Sequence, residues 1–485
     1  MLFPIKILIL RVNRSILSKM NKSILFHALS ILSATQRSRL EKFLHSPYHN
    51  QREDVVRLFE YLAPRMDGGP GLSKEQAFQA VYPGRPYDDQ QMRYLMSFLL
   101  KCLEQFLISE QLQADELAKH TLLLAAYRGL RLPKGFQKAS RRVEALLKAT
   151  QEGEMGLHAA FAIERERYLF QAGQKRDAPS FLPQLNQVLD ESYFLSRLKQ
   201  SSLLSAHQAV FRGESEDPRL LRFLLAYLDG SAILERNPLI RAYYCYLKTI
   251  EMPGEVKYYQ LLKECIQPAA LPVEERRTLF LLAINYGIRQ FNSGDESYLP
   301  ELFELYRTGL SEGLLLTGER ISRFAFKNIA AIGLRLRQFD WVEQFIEQYQ
   351  ANLPPRYRAT YVHYCLSKLR YEQGQYAEAM QRLQQVEYED IFLNIDAKVT
   401  LMKIYYELRE LEVLDNFLAS LERFLRRKKE LGYHRQNYHN IIFFTRKLLE
   451  SNPFAREEQE QLRQAIEKAD PLTERAWLLE QLENF

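Results

Sequence analysis

Helical periodicity dominates the pattern of apolar and polar positions along the chain, and strand-like alternation is nearly absent. Residues 217–230 show the period most plainly. Asp217-Pro218 supplies a cap and a first-turn proline, Leu221, Leu224, Leu225 and Leu228 form one stripe, and Gly230 ends it. Asn237-Pro238 opens the next segment, in which Leu239, Tyr243, Tyr246, Leu247 and Ile250 share a face, and Pro253-Gly254 closes it. Two such helices joined by a short polar turn make a hairpin that cannot bury its apolar stripe without stacking on neighbours. The expected fold class is all-α.

Further along, the hairpins recur at a fixed spacing. Second helices open at Arg337-Gln338-Phe339-Asp340, at Gly374-Gln375-Tyr376-Ala377 and at Arg409-Glu410-Leu411-Glu412. Their anchors, Phe339, Tyr376 and Leu411, are 37 and 35 residues apart. First helices keep the register, since Ile329, Leu366 and Leu401 each lie ten residues before an anchor. Residues 363–391 resemble one tetratricopeptide repeat through Leu366, Ser367, Tyr371, Gly374, Tyr376, Ala379 and Leu383. Small Ser367 and Ala379 let paired helices approach, and Gly374 permits the tight turn. In the flanking units Val342 and Leu414 stand where a small alanine is expected, and Arg337 and Arg409 replace the turn glycine. These departures predict that the two units splay or pack irregularly. The resemblance covers residues 320–425, and 160–320 fit it loosely, with Asn292-Ser293-Gly294-Asp295 as an insertion between helices.

At 485 residues the chain exceeds the roughly 250–300 at which a single core stops growing. Residues 1–19 read as an upstream extension outside the fold, with Met20 as an alternative start. Residues 20–110 form a separate helical module, interrupted at 45–50, 67–71 and 83–86. Its Ser46-Pro47-Tyr48-His49-Asn50 turn and Ala80-Val81-Tyr82-Pro83-Gly84 segment resemble the front end of uncharacterised bacterial helical-repeat proteins, a likeness that implies no function. Residues 111–320 read as irregular helical hairpins, 321–454 as tetratricopeptide-like repeats, and 455–485 as charged helices capping the stack. The expected architecture is an α-solenoid of stacked helical hairpins with an N-terminal helical module.

Composition narrows the function classes. Hydrophobic residues at 46% and charged residues at 26% belong to a folded chain. The aromatic share, 12%, with 28 Tyr and 28 Phe, suits helices packed edge-on or a lined groove. Lys6, Arg11, Arg14 and Lys19 supply four of the six net positive charges, so the rest of the chain is too balanced to argue for nucleic acid by bulk charge. The apolar stretch Leu2–Leu10 is short and has its charges after it, the reverse of a signal peptide. No run of eighteen apolar residues occurs, and the cytoplasm is the expected compartment. Cys102, Cys245, Cys265 and Cys365 form no CxxC pair.

No motif argues for an enzyme, a cofactor or a metal. His45 and His49 have helical metal-pair spacing, but Pro47 breaks the helix between them. His434 and His439 face different directions on a helix. Gly68-Gly69-Pro70-Gly71-Leu72-Ser73-Lys74 lacks the preceding strand and the glycine spacing of a phosphate loop, and Ser73 is better read as an N-cap with Gln76 completing a capping box. Carboxylates are plentiful on solvated helices, and no nucleophile elbow or zincin motif accompanies them.

Binding surfaces remain. First helices line the groove of tetratricopeptide arrays, and by register Lys327, Tyr364, Lys368, Lys403 and Tyr406 would face it. Lysines interleaved with tyrosines suit an extended peptide with acidic groups or a free carboxylate. Arg426, Arg427, Lys428 and Arg435 form an anion-contact candidate, although Glu422 and Glu430 dilute it and cations at a helix end also answer its dipole. Residues 73–108 resemble the helix-turn-helix core of winged-helix regulators, with Gln90, Gln91, Arg93, Tyr94, Ser97 and Lys101 on the second helix. The turn is long, no wing follows, and Asp88 and Asp89 sit where phosphates would approach, so a plain helical hairpin is preferred. The sequence thus points to a non-enzymatic scaffold or adaptor for a protein or peptide partner, without membrane contact. The second reading is a transcriptional regulator that reaches nucleic acid through 73–108 while the helical repeats sense a ligand or partner.

Overall fold

The structure is a computed structural model that describes residues 23–66, 73–149, 153–172, 181–208, 217–267, 271–384, 390–427, 434–452 and 454–483. The extension 1–19 and the turn Gly68–Gly71 lie outside them. The chain divides into two compact units, 1–282 and 283–485. The described residues are almost wholly helical, and no helix among them is long and apolar enough to cross a membrane.

In the first unit, α1 (Ile24–Ile31), α2 (Ala34–His45), α3 (Glu53–Leu62), α4 (Lys74–Val81) and α5 (Asp89–Ala114) close around one core of Leu29, Leu40, Leu58, Phe59, Phe78 and Leu99. Short polar side chains start most of these helices. Ser23, Ser33, Ser73 and Asp88 each accept from backbone N–H groups of the first turn. Ser33 and Gln36 complete a reciprocal capping box, whereas the expected box at Ser73 shows the hydroxyl accepting from Gln76 N at 3.1 Å. The Ser46–Asn50 turn is a structural joint. Buried Asn50 donates through Nδ2 to Leu44 O at 2.9 Å and Arg52 O at 3.0 Å, and its Oδ1 accepts from Arg52 N. His49 lies flat on Phe43, with centroids 3.9 Å apart.

Next come α6 (Glu116–Gly129), α7 (Pro133–Ala149), α8 (Glu154–Ala172) and α9 (Leu182–Gln208), then α10 (Arg219–Leu228), α11 (Ala232–Arg236), α12 (Pro238–Glu251) and α13 (Val256–Cys265). The predicted helices at 217–230 and 237–253 are present as α10 and α12, with Leu224, Leu225 and Leu228 buried on the first and Leu239, Tyr243, Tyr246 and Leu247 on the second. α12 packs on α9 and α13 and is buried nearly all round. Lys199 bridges Glu154 at 2.8 Å and Glu275 at 2.7 Å, and the Tyr243 hydroxyl donates to Glu275 at 2.7 Å. Within the first unit this brace ties α8, α9 and α12 to the first turn of α14 (Val273–Asn292).

The second unit continues with α15 (Tyr298–Ser311), a small antiparallel hairpin of β1 (Leu316–Thr317) and β2 (Arg320–Ile321), and then α16 (Arg323–Arg335), α17 (Phe339–Tyr349), α18 (Pro355–Glu372), α19 (Tyr376–Gln384), α20 (Ile391–Glu407) and α21 (Leu411–Arg427). It ends with α22 (His434–Glu450), α23 (Arg456–Lys468) and α24 (Arg475–Glu483). The expected insertion at Asn292–Asp295 is a turn between α14 and α15. The β-hairpin is too short to leave a periodic signal and was not expected. Helices pack in consecutive pairs, α16 with α17, α18 with α19 and α20 with α21, and α18 also packs on α16 and α20.

The flanking turns close as the central one does, although α16 and α17, and α20 and α21, approach each other over a shorter stretch than α18 and α19, in keeping with the expected irregularity. Arg337 and Arg409 adopt φ of +55° and +59°, the left-handed backbone that Gly374 adopts at +74°. All three turns make the same two bonds. Arg337 N donates to Leu334 O and Gln338 N to Gly333 O; Gly374 N donates to Tyr371 O and Gln375 N to Arg370 O; Arg409 N donates to Tyr406 O and Glu410 N to Tyr405 O. This is the Schellman closure, which satisfies carbonyls left open at a helix end. Val342 and Leu414, where a small residue was expected, are fully buried. Room for Val342 comes from the opposite helix, because a Cβ on Gly333 would lie 2.5 Å from Val342 Cγ2.

Gly333→Ala should therefore destabilise the protein by about 1–3 kcal/mol through overpacking. Added to Val342→Ala it should cost nothing or restore stability, a coupling that a denaturant-unfolding double-mutant cycle measures. At the turn, Arg409→Gly should lie within about 1 kcal/mol of wild type, while Arg409→Val should lose roughly 1–2 kcal/mol because a β-branched side chain resists the left-handed region. Chemical denaturation of both variants checks this pair.

Candidate functional site

The five groove candidates lie on the first helix of each pair: Lys327 on α16, Tyr364 and Lys368 on α18, and Lys403 and Tyr406 on α20. Their cationic groups are not free. Asp396, midway along α20, accepts from Lys327 at 2.9 Å, faces Lys368 at 3.6 Å and accepts the Tyr364 hydroxyl. Tyr364 is buried between the lysines, with Lys327 Nζ 5.3 Å and Lys368 Nζ 5.9 Å from its ring centroid. Burial works against ionising Asp396, but Lys368 and Lys327, helped by the Tyr364 hydroxyl, outweigh it and hold the carboxyl well below the usual range. Burial raises the Tyr364 phenol, and the neighbouring Asp396 charge raises it further. Burial also pushes the Cys365 thiol up to about 12, which makes it an unreactive packing residue.

Lys403 and Tyr406 are closed off by the C-terminal helix. Lys403 Nζ bridges Glu474 at 3.0 Å and sits 5.0 Å from the Tyr371 ring and 5.5 Å from the Trp477 ring. Tyr406 is buried edge-on against Trp477. Trp477 Nε1 and Gln481 Nε2 both donate to Glu407 at 3.0 Å. The segment before α24 is clamped in turn by α22, since Asn437 bonds Thr473 through both its amide atoms and Asn440 Nδ2 donates to Pro471 O. The part of the first-helix face that carries Lys403 and Tyr406 is therefore covered by the chain's own α24.

At the other end the face is open. α16 and α18 border a cavity of about 340 Å³. Its cations are Lys327, Arg335, Arg337 and Lys368, and its lining carboxylate is Glu372. Ala330, Ala331 and Leu334 form the apolar part. Asp396 is shared by two lysines, Glu296 reaches Arg335 at a loose 3.7 Å, and exposed Arg337 makes no ion pair among the described residues. Cations outnumber carboxylates here, so an anionic group entering the cavity meets net attraction.

Asp396, Glu474, Arg335 and Arg337 were not among the sequence candidates. The signal for Asp396 was present, because it is the single acid between Ile391 and Tyr406 in a mostly apolar helix. A lone carboxylate at such a position needs cations opposite. Nothing local announced Glu474, whose partner is 71 residues away.

The remaining candidates are less concentrated. Arg426 pairs with Glu422 at 2.9 Å, Glu422 also holds Arg446 at 3.2 Å, and Arg427 Nε donates to Arg423 O, so the acid dilutes the patch as expected. Arg435 is half-buried on α22, and Lys428 lies outside the described residues. In 73–108 the two helices form where expected, as α4 and α5, and Gln90, Arg93, Tyr94, Ser97 and Lys101 are exposed, with Gln91 half-buried. Arg93 closes on Asp89, which also binds Lys74 at 3.1 Å and the Tyr87 hydroxyl at 2.8 Å, and Asp88 caps α5. Acids are thus interleaved with this cationic face. His45 and His49 do not converge, since His49 stacks on Phe43 and His45 turns to Glu60 at 3.5 Å.

Compared with protein-family models, curated proteins and solved structures, the chain matches none of them.

Asp396 makes the second unit acid-sensitive in a defined direction. Its folded pKa is depressed, so its contribution is fully present above the ordinary carboxylate pKa of about 3.9 and is lost as pH falls below it. Asp396→Asn should cost about 2 kcal/mol at neutral pH, less than for a fully desolvated pair because the cluster is partly open to water. It should also flatten the decline in stability between pH 5 and pH 3. Urea unfolding of both proteins across that range provides the check.

Proposed function

We propose that residues 321–454 act as a tetratricopeptide-like array that binds a protein or peptide partner without catalysing a reaction, so that the protein works as an adaptor or assembly scaffold. One observation carries this reading: an open cavity on the first-helix face whose cations outnumber its carboxylates. An acidic side chain or terminal carboxylate of the partner would enter between α16 and α18. There it would meet Arg337 first and then Lys327 and Lys368, whose shared Asp396 leaves the pair with one positive charge in excess. Ala330, Ala331 and Leu334 would receive the adjoining apolar part of the partner. Lys403 and Tyr406 then serve to seat α24 and not the partner.

The test uses variants that spare the buried ion pairs. Ala331→Trp fills the cavity from its exposed rim, and Arg337→Glu reverses its unpaired cation. Affinity capture from the native cells, with and without nuclease and read by mass spectrometry, should give a stoichiometric protein partner with wild type. Both variants should lose at least about tenfold of it, while Arg426→Glu, distant in sequence, should retain it. A partner captured equally by all four proteins would remove the cavity from the function. Recovery of DNA, with companions lost on nuclease treatment, would move the activity to residues 73–108.

A further inference from the structure

We infer that Glu41, His45 and Glu60 form a binding site for a divalent transition-metal ion of the zinc class. Glu41 and His45 are one turn apart on α2 and share a face, and Glu60 reaches the same point from α3, which packs on α2. One ligand atom from each, an imidazole nitrogen and two carboxylate oxygens, lies within 4.8 Å of the others. Ligand atoms around tetrahedral zinc are about 3.4 Å apart, given metal–ligand distances of about 2.0–2.2 Å. The three side chains are exposed, so small rotations close that gap and leave the fourth position to water.

A second observation points to a cation. Four other acids of this module are matched by neighbours of opposite charge: Glu53 by Arg57, Asp54 by Arg52, Asp89 by Lys74 and Glu110 by Arg39. Glu75 and Glu104 have no such neighbour among the described residues, but neither is grouped with a second acid and a histidine. Glu41 and Glu60 bring two carboxylates together with no lysine or arginine paired to either among the described residues, and only the imidazole between them. Like charges this close repel, and a bound dication turns the repulsion into attraction. The nitrogen ligand sets the class of ion. Calcium and magnesium favour all-oxygen shells, whereas imidazole beside carboxylate suits zinc, cobalt, nickel or copper. His49, the histidine that sequence spacing would have paired with His45, is held on Phe43 and takes no part.

Isothermal titration of the full chain with zinc at neutral pH, in a chelator-treated buffer, tests the assignment. The expected result is one equivalent whose affinity falls at least about tenfold in His45→Ala and in Glu60→Gln but not in the control Glu53→Gln, with magnesium unable to compete. Zinc should also raise the melting temperature of wild type and leave that of the two ligand variants unchanged, with circular dichroism checking that all are folded. Absence of zinc binding, or an equivalent retained unchanged by both ligand variants, would overturn the site.

Discussion

Between residues 323 and 427 the helix pairs depend on one backbone requirement, a residue in left-handed conformation at each reversal. Arg337, Gly374 and Arg409 all meet it, and each turn closes with the same two hydrogen bonds. The closure fixes the rotation of the second helix about the first and so decides which residues face inward. Val342, Ala379 and Leu414 then fall at matching buried positions despite their different sizes. A non-glycine residue in that conformation costs on the order of 1–2 kcal/mol, which the closed carbonyls and the buried stripe on each helix offset. The turn is conserved in geometry while its residue varies between glycine and arginine.

Given that turn, the chemistry of the first helices follows. Lys327, Tyr364 and Lys368 are brought to one side, and α20 delivers Asp396 between them. One carboxylate serving two lysines and a phenol is stable only because the cluster is partly open to water and each group has a partner. The same face is closed further on by Glu474, Trp477 and Gln481. These two arrangements use the same ingredients, lysine, carboxylate and aromatic ring, to different ends. One leaves a cavity with cations to spare, and the other is a sealed joint between α20 and α24.

Much of this was legible in the sequence because it is local. The helices at 219–228 and 238–251, the Ser73 cap, the turn at Gly374 and the starts of α4 and α5 rest on signals within a few residues. By contrast, α5 runs on past the expected 108 to Ala114, and Pro218 is the cap residue of α10 and not part of its first turn. The register that selected Lys327, Tyr364, Lys368, Lys403 and Tyr406 placed them correctly on first helices. Their environment was not legible, because it is set by residues far along the chain. Tyr406 looks like a groove residue until Trp477 lies on it, and Val342 looks like a misfit until Gly333 is seen opposite. The valine in one helix and the glycine opposite it in the partner are matched in size, and a single position shows half of the match. The Glu41, His45 and Glu60 cluster escaped for the same reason, since the sequence set His45 only against nearby His49, and the carboxylate that meets it comes from α3.

The two long-range bridges have a consequence for how such a chain can change in length. Lys327 meets Asp396 across 69 residues and Lys403 meets Glu474 across 71, each close to the summed 37- and 35-residue spacings of two helix pairs. Arrays held together by nearest-neighbour stripes alone gain or lose a unit with little penalty. Here a duplicated or deleted pair between the partners would bring a different residue opposite each lysine and leave half-buried charges unmatched. The bridges therefore act as a gauge of unit number over residues 327–396 and 403–474.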